Sequence, residues 1–226
     1  MNKCSGSSEF FKKIPALENK RNKRIVVYTA IFGSYDELKT PEIIDSNVDY
    51  FCFTDNTGLK SDIWNVIVLP CLYRDPRLSA RALKILSHKT MKNYEYSVWV
   101  DGSCKVVHSI EDFVFTHCSG ENICTFKHKN RDCIYKEART CKLKGKDEPR
   151  IINKQMDWYK SLGYPKNNGL IESTVLVRQN NEKDVKTLNE EWWNIVDSNS
   201  NRDQLSFNFV AWRYDIKYKV LEGEES

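Results

Sequence analysis

Apolar positions in the first third of the chain fall into three short runs separated by turn residues. RIVVYTAIFG (24–33), DYFCFTDN (49–56) and WNVIVLP (64–70) are rich in β-branched and aromatic residues. The first ends in Thr29, Ala30 and a glycine turn, the second at Asp55 and the third at Pro70. Runs of this length, bounded in this way, predict buried strands. In RDPRLSARALKILSHKTM the period changes. Leu78, Ala82, Ile85 and Leu86 recur at helical spacing, and Pro76 suits a first helical turn. Arg77, Arg81, Lys84 and His88 recur on a different face of the same helix. YSVWVD then returns to the strand pattern. Strand, helix and strand in this order predict an α/β fold built on a mostly parallel central sheet with crossover helices.

Past residue 106 the pattern weakens. ENICTFKH (121–128) reads as a strand, residues 129–146 as a polar, charged stretch, and KGKDEP as a loop. MDWYKSLGYPKNNG holds a short helix ended by Gly163, and IESTVLVR (171–178) is a further strand. Glu182 to Val196 is the clearest helix, with Val185, Leu188, Trp192 and Ile195 on its inner face. A last helix begins at Asn201 or Asp203 and buries Leu205, Phe209 and Trp212, and IKYKVLE alternates like an edge strand. The expected organisation is a flexible basic lead-in over 1–22 and a single domain over 23–226.

At 226 residues the chain can bury one sizeable core, and 40% hydrophobic with 12% aromatic residues excludes a disordered chain. A net charge of +4, from 35 basic and 31 acidic residues, excludes a dedicated nucleic-acid binder. The N-terminal segment is polar and lacks the apolar core of a signal peptide, and no run approaches the roughly 18 apolar residues of a membrane span. A cytoplasmic location is therefore expected, with the eight cysteines, which form no CxxC, mostly reduced.

Ligands of open α/β sheets sit beyond the C-terminal ends of the strands, where Thr29, Asp55 and Asp101 all fall. In VWVDGSCKV, Asp101 either holds a metal or ligand or caps the turn that follows. Asp55 either recognises a ligand or caps the Asn56–Thr57–Gly58 turn. Arg81 and Lys84, one turn apart, could neutralise a diphosphate or be a solvated face. FKHKNRDCIYKEA (126–138) is the densest polar patch. There His128, Arg131, Tyr135 and Glu137 could hold sugar hydroxyls or a diphosphate, or simply form a loop. Glu172 lies inside an apolar run, where a carboxylate is costly unless paired or used. Asp203, followed by Gln204, is a good helix N-cap and, facing a cleft, a possible base. The chain has no GxGxxG after its first strand, no GxxxxGK[ST], no GxSxG and no HExxH, so dinucleotide-binding, P-loop, α/β-hydrolase and zincin chemistry are not indicated.

The ordered set VVYTAIFGSYD, YFCFTD, RDPRLSARALKIL, YSVWVDGS, FKHKNRDCIYKEA, IESTVLVRQNN and RDQLSF resembles a glycosyltransferase-like domain. That domain family has bacterial members and members in plant cell-wall and mucilage proteins, with the GT-A nucleotide-sugar fold. The resemblance covers roughly residues 24 to 220. It implies a nucleotide-sugar donor, with UDP favoured, and a glycan or other hydroxyl acceptor. Thr29 and Ala30 would line the base and ribose pocket with Asp55 nearby. Arg81 and Lys84 would face the diphosphate or donor sugar, with His128 and Arg131 also on the donor side. Glu172 and Asp203–Gln204 would lie toward the donor sugar and acceptor. The same resemblance places Asp101 where the broad class carries an Asp-x-Asp metal motif, which implies Mn²⁺ or Mg²⁺. Here the second acid is Ser103, which coordinates a hard cation without adding charge, and His128 is the candidate to complete the set. Asp203 or Glu172 would deprotonate the acceptor if the anomeric centre inverts, or stabilise an oxocarbenium-like centre if it is retained. Two other readings share the fold. A non-catalytic nucleotide-sugar or carbohydrate-binding module is kept open by the incomplete acid pair. A sugar-phosphate nucleotidyltransferase lacks its glycine-rich, lysine-bearing loop here.

Overall fold

In the computed structural model the described residues are 22–223, together with Ile14 and 17–19. Every position of β1 (Ile25–Ile31) is buried. Its alternate side chains feed two cores: Val26, Tyr28 and Ala30 point to one, and Ile25, Val27 and Ile31 to the other. A strand apolar on both faces needs layers on both sides, which the helices supply. β1 pairs in parallel with β2 (Val48–Thr54) and β4 (Tyr96–Val100), and β2 in parallel with β3 (Asn65–Val68). Beyond β4 lie β6 (Ile171–Gln179), β5 (Ile123–Lys127) and β7 (Lys219–Leu221), in the order β3-β2-β1-β4-β6-β5-β7. β6 runs antiparallel to both β4 and β5, whereas β7 is parallel to β5. The seven-stranded, mostly parallel sheet with flanking helices meets the α/β expectation and is consistent with a GT-A-like architecture.

The helices are α1 (Pro76–Ile85), α2 (Ser87–Thr90), α3 (Ile110–His117), α4 (Ile134–Leu143), α5 (Pro149–Ser161), α6 (Lys183–Ser198) and α7 (Phe207–Arg213). α3 and α4 were not expected from the hydrophobic pattern. α4 buries only Ile134, Glu137, Ala138 and Cys141, a narrow stripe interrupted by a carboxylate, which reads as polar chain. The helix expected from MDWYKS begins earlier, at Pro149 in its first turn, and the predicted last helix splits into a 3-10 turn (Asp203–Leu205) and α7. Ile14 and Leu17 are buried in the larger core, and Asn19 bonds to Lys23 and to the Asn93 carbonyl, so the body extends upstream of residue 23. The rest of the lead-in lies outside the described residues. The described cysteines carry free thiols, and Cys52, Cys118, Cys124, Cys133 and Cys141 are buried.

One buried cation fixes the orientation of α1. Arg178 on β6 is almost wholly buried and donates to the Ile85 carbonyl at 3.1 Å and the Lys84 carbonyl at 2.6 Å. It also donates to the Tyr28 hydroxyl of β1 at 2.5 Å and to Asn189 Oδ1 of α6 at 3.0 Å. The last carbonyls of a helix lack internal partners and carry partial negative charge. A guanidinium placed there ties α1, β1, β6 and α6 together, just behind the residue that α1 contributes to the cleft.

Candidate active site

The C-terminal ends of β1 and β4 open into a cleft of about 460 Å³. At the end of β1 the chain turns through Gly33, whose φ of +65° is left-handed; a Cβ there would come within 2.8 Å of Pro76 at the start of α1. Asp55, just past β2, accepts the Gly33 N–H at 3.0 and 3.1 Å through its two oxygens. It thereby braces the β1 exit and does not line the cleft, while the turn at 56–58 is capped by Asn56, which accepts from Gly58 N at 2.9 Å.

Asp101 opens the turn that follows it and presents its carboxylate to the cleft. Its carbonyl accepts from Cys104 N at 2.9 Å, opening the turn, while its carboxylate faces the cleft with 32% of the side chain exposed. Trp99 Nε1 donates to Oδ1 at 2.5 Å, and Lys84 Nζ stands 3.3 Å from the same oxygen. Lys84, only 3% exposed, reaches from α1 between two acids: its ammonium lies 2.7 Å from Asp203 Oδ2 and donates to Ser173 Oγ at 3.0 Å. Ser173 in turn donates to Asp203 Oδ2 at 2.9 Å, Arg81 Nε lies 3.6 Å from Oδ1, and Trp192 Nε1 holds the Asp203 carbonyl at 2.9 Å.

An irregularity in β6 brings Glu172 and Ser173 to this network. β5 pairs Thr125 with Leu176 but Phe126 with Glu172, so Ser173, Thr174 and Val175 have no β5 partner. Thr125 Oγ1 donates to the freed carbonyls of Glu172 at 3.0 Å and Val175 at 2.8 Å. Asp101 N donates to Thr174 O at 2.8 Å. Such bulges re-aim side chains beside functional sites; this one turns Glu172, Ser173 and Thr174 into the cleft.

Of the aspartates lining the cleft, Asp101 and Asp203 differ in charge behaviour. Burial pushes the Asp203 carboxyl up, but the charges of Lys84, Arg81 and Arg202 outweigh burial and hold it well below the usual range. Burial raises Asp101 and Lys84 opposes it, while the negative charge of Asp203 adds to burial, so the net shift is upward. Unfolded, an aspartate titrates near about 3.9. With the folded value higher, ionising Asp101 costs stability as pH rises between the two values, and that cost persists at neutral pH. Asp101→Asn is accordingly expected to raise Tm at pH 7 by about 2–4 °C, as is common when a strained functional group is neutralised. The gain shrinks as pH falls toward the unfolded value. Thermal melts of both proteins from acid to neutral pH check this, and an Asn variant that melts lower at pH 7 would refute it.

Of the residues singled out in the sequence, Ala30, Arg81, Lys84, Asp101, Ser103, Glu172, Asp203 and Gln204 line the one cleft. Thr29 is buried on the other side of β1, with its hydroxyl unpartnered. His128 and Arg131 line an adjoining pocket. Trp99, Ser173 and Arg202 were missed. For Ser173 the available signal was the polar triplet Glu-Ser-Thr interrupting a strand; for Arg202, its place just before Asp203.

The metal ligands implied by resemblance are only partly together. His128 Nδ1 accepts from the N–H groups of Asn130 and Arg131 at 3.1 and 3.2 Å, and its Nε2 lies 3.0 Å from Arg131 Nη2. With both ring nitrogens engaged and a different pocket around it, His128 does not join Asp101. Among the described residues no three His, Cys, Asp or Glu side chains converge as a metal cluster. Asp101 and Ser103 share the cleft wall, and the second Asp101 oxygen carries none of the bonds above. One carboxylate and a hydroxyl fit a cation shared with substrate phosphates, the usual mode for Mg²⁺.

A family model described as TOD1/MUCI70, glycosyltransferase-like domain, matches residues 12–222. The chain belongs to this family. The match bears out the resemblance carried by the strand-end and helix motifs, and it begins within the segment read as a lead-in. The curated relative "Probable hexosyltransferase MUCI70" of Arabidopsis thaliana is 30% identical over 227 residues, which cover 86% of this chain and 38% of the relative. The chain thus spans well under half the length of that protein. No helix among the described residues is long and apolar enough to cross a membrane.

Proposed function

We propose that the chain is a glycosyltransferase that moves a hexosyl or related sugar from a nucleotide-diphosphate donor, UDP-sugar favoured, to a hydroxyl of a glycan acceptor. The observation that carries this reading is the buried Lys84 ammonium held between Asp101 and Asp203 at the strand ends, with Arg81 beside it. A preorganised cationic wall stabilises the charge that grows on a departing diphosphate, and it is worth most where water is excluded. Family membership and the printed activity of the Arabidopsis relative support the same reaction class.

In this reading the diphosphate lies against Arg77, Arg81 and Lys84, with the donor sugar over Asp101 and the β6 bulge. Asp203 stays ionised and positions Lys84 and Arg81, because a carboxylate gripped by several cations is a poor proton acceptor. Glu172, partly open to the cleft, is the better placed base. It takes the acceptor O–H proton as that oxygen bonds to the anomeric carbon and the bond to the diphosphate oxygen breaks. Asp101 and Ser103 would hold Mn²⁺ or Mg²⁺, which when bound supplies further positive charge to the diphosphate. Ala30 lines the β1 side, braced by Asp55 through Gly33, where the nucleoside would rest, and Thr29 lies on the other side of the strand. Ser103 in place of a second acid favours one alternative, a module that binds nucleotide-sugar without transferring it.

Calorimetric titration of UDP and of GDP, each with and without Mn²⁺, against wild type and Asp101→Ala tests the reading. Expected is metal-dependent binding of one nucleotide, UDP in preference, lost in the variant. A folded protein that binds neither nucleotide under any condition would remove the main support for a UDP- or GDP-linked donor. Binding without hydrolysis or transfer to any acceptor would favour the non-catalytic module.

A further inference from the structure

Beyond Glu172 the cleft continues into a second pocket of about 170 Å³, walled by α4, the loop that follows it and the 3-10 turn. Lys144, Lys146, Glu172, Arg202 and Gln204 line both spaces. Arg77, Arg81 and the β1 residues Ala30 and Ile31 line the first space and not the second pocket. A donor whose diphosphate rests on α1 leaves it free.

Its charges do not balance internally. Glu137 is already taken: Arg131 Nε contacts it at 2.5 Å, and the Cys141 thiol donates to its other oxygen at 3.2 Å. That leaves Lys144 and Lys146, together with Arg202, whose charge is shared with Asp203, facing the carboxylate of Glu172. Neither lysine forms an ion pair with a described residue, and Arg202 acts on Asp203 without a direct salt bridge. Arg202 Nη2 donates to Gln204 Oε1 at 3.2 Å, but its buried Nε has no acceptor. A buried donor left unpaired costs stability and calls for an explanation. The loop bearing the lysines is anchored. Asp147 Oδ2 accepts from Ser200 Oγ and Asn201 N, both at 2.7 Å, and Lys146 N donates to the Cys141 carbonyl at 2.9 Å. The cations are therefore held at the pocket by fixed backbone on both sides.

Resting on the transferase reading above, we propose that this pocket is an acceptor subsite for an anionic sugar, and that the acceptor glycan carries a carboxylate, as a uronic acid residue does. The carboxylate pairs with Arg202 and the two lysines, which satisfies the orphaned guanidinium N–H. It also fixes the sugar ring with a hydroxyl toward Glu172 on the shared wall. A neutral glycan would leave the two lysines unmatched and the Arg202 Nε without an acceptor, so the subsite selects by charge as well as shape.

The test is binding of a uronic acid oligosaccharide by the whole chain, measured by calorimetry beside the same oligosaccharide with its carboxyl groups reduced to alcohols. The natural form is expected to bind at least tenfold more tightly, and in the exposed double variant Lys144→Ala/Lys146→Ala that preference collapses toward unity while the melting temperature stays at the wild-type value. Equal binding of the two forms, or a preference that survives in the double variant, overturns the proposal. Displacement of the oligosaccharide by UDP assigns the pocket to the donor and overturns it too. A sulfated or phosphorylated oligosaccharide that binds better than the uronate overturns the carboxylate assignment. Charge-selective glycan binding by a protein that binds no nucleotide would leave the subsite standing and the transferase reading fallen. Nucleotide binding with no charge selection would do the reverse.

Discussion

Lys84→Met is expected to destabilise the fold at neutral pH by about 3–5 kcal/mol, the range found when one partner of a buried ion pair is removed. Methionine fills much of the volume but leaves the buried Asp203 and the cleft-facing Asp101 without the ammonium between them. Arg81, at 3.6 Å from Asp203 Oδ1, is then the nearest remaining cation. The sign with pH follows from the depressed Asp203 carboxyl. Its stabilising effect is present above the unfolded value of about 3.9 and is lost as pH falls through the folded one. The loss in the variant is therefore largest at neutral pH and narrows in acid. Urea unfolding at both pH values measures it, and Lys84→Met/Asp101→Asn is expected to recover part of it by removing one unpaired charge. A single variant within about 1 kcal/mol of wild type would mean that the lysine is not the keystone of the cleft. Nucleotide affinity should fall with it, since the same ammonium faces the proposed diphosphate site.

The sequence made the first half of the sheet legible, because strands buried on both faces are continuous apolar runs and their exits are marked by Thr29, Gly33, Asp55 and Asp101. Arg81, Lys84 and Asp101 could be placed together from helical spacing plus the rule that ligands lie beyond strand ends. Three things could not be read. The β6 bulge depends on Thr125 bonding two carbonyls across the sheet, a tertiary contact with no local signature. α4 hides because its inner face includes Glu137, which is tolerable only once Arg131 has folded onto it. Arg178 reads as an ordinary strand-end cation, yet it is buried under α1, with carbonyls and hydroxyls for partners. His128 and Asp55 were drawn toward the cleft by chemistry alone; their bonds to Asn130, Arg131 and Gly33 are set by turns that the residue types permit but do not dictate.

Glu172→Gln is expected to lower turnover by about 10²–10⁴-fold, the usual range for loss of a general base, with nucleotide affinity nearly unchanged. The substitution keeps the shape and removes the only carboxylate that, among the described residues, lines both the cleft and the adjoining pocket. Glu172 forms none of the ion pairs that fix Asp203, so the fold should tolerate the change. Asp203→Asn, by contrast, should lose stability together with activity, because Lys84 and Arg81 would lose their shared counter-charge. The two carboxylates are thus separable by measuring melting temperature and turnover on the same variants, using the donor found in a screen. If Glu172→Gln keeps more than about a tenth of wild-type turnover, too little for a base contribution of this class, proton removal falls to another group. Asp203 could take that role only by loosening the ion pairs with Lys84 and Arg81 that hold α1 against the cleft.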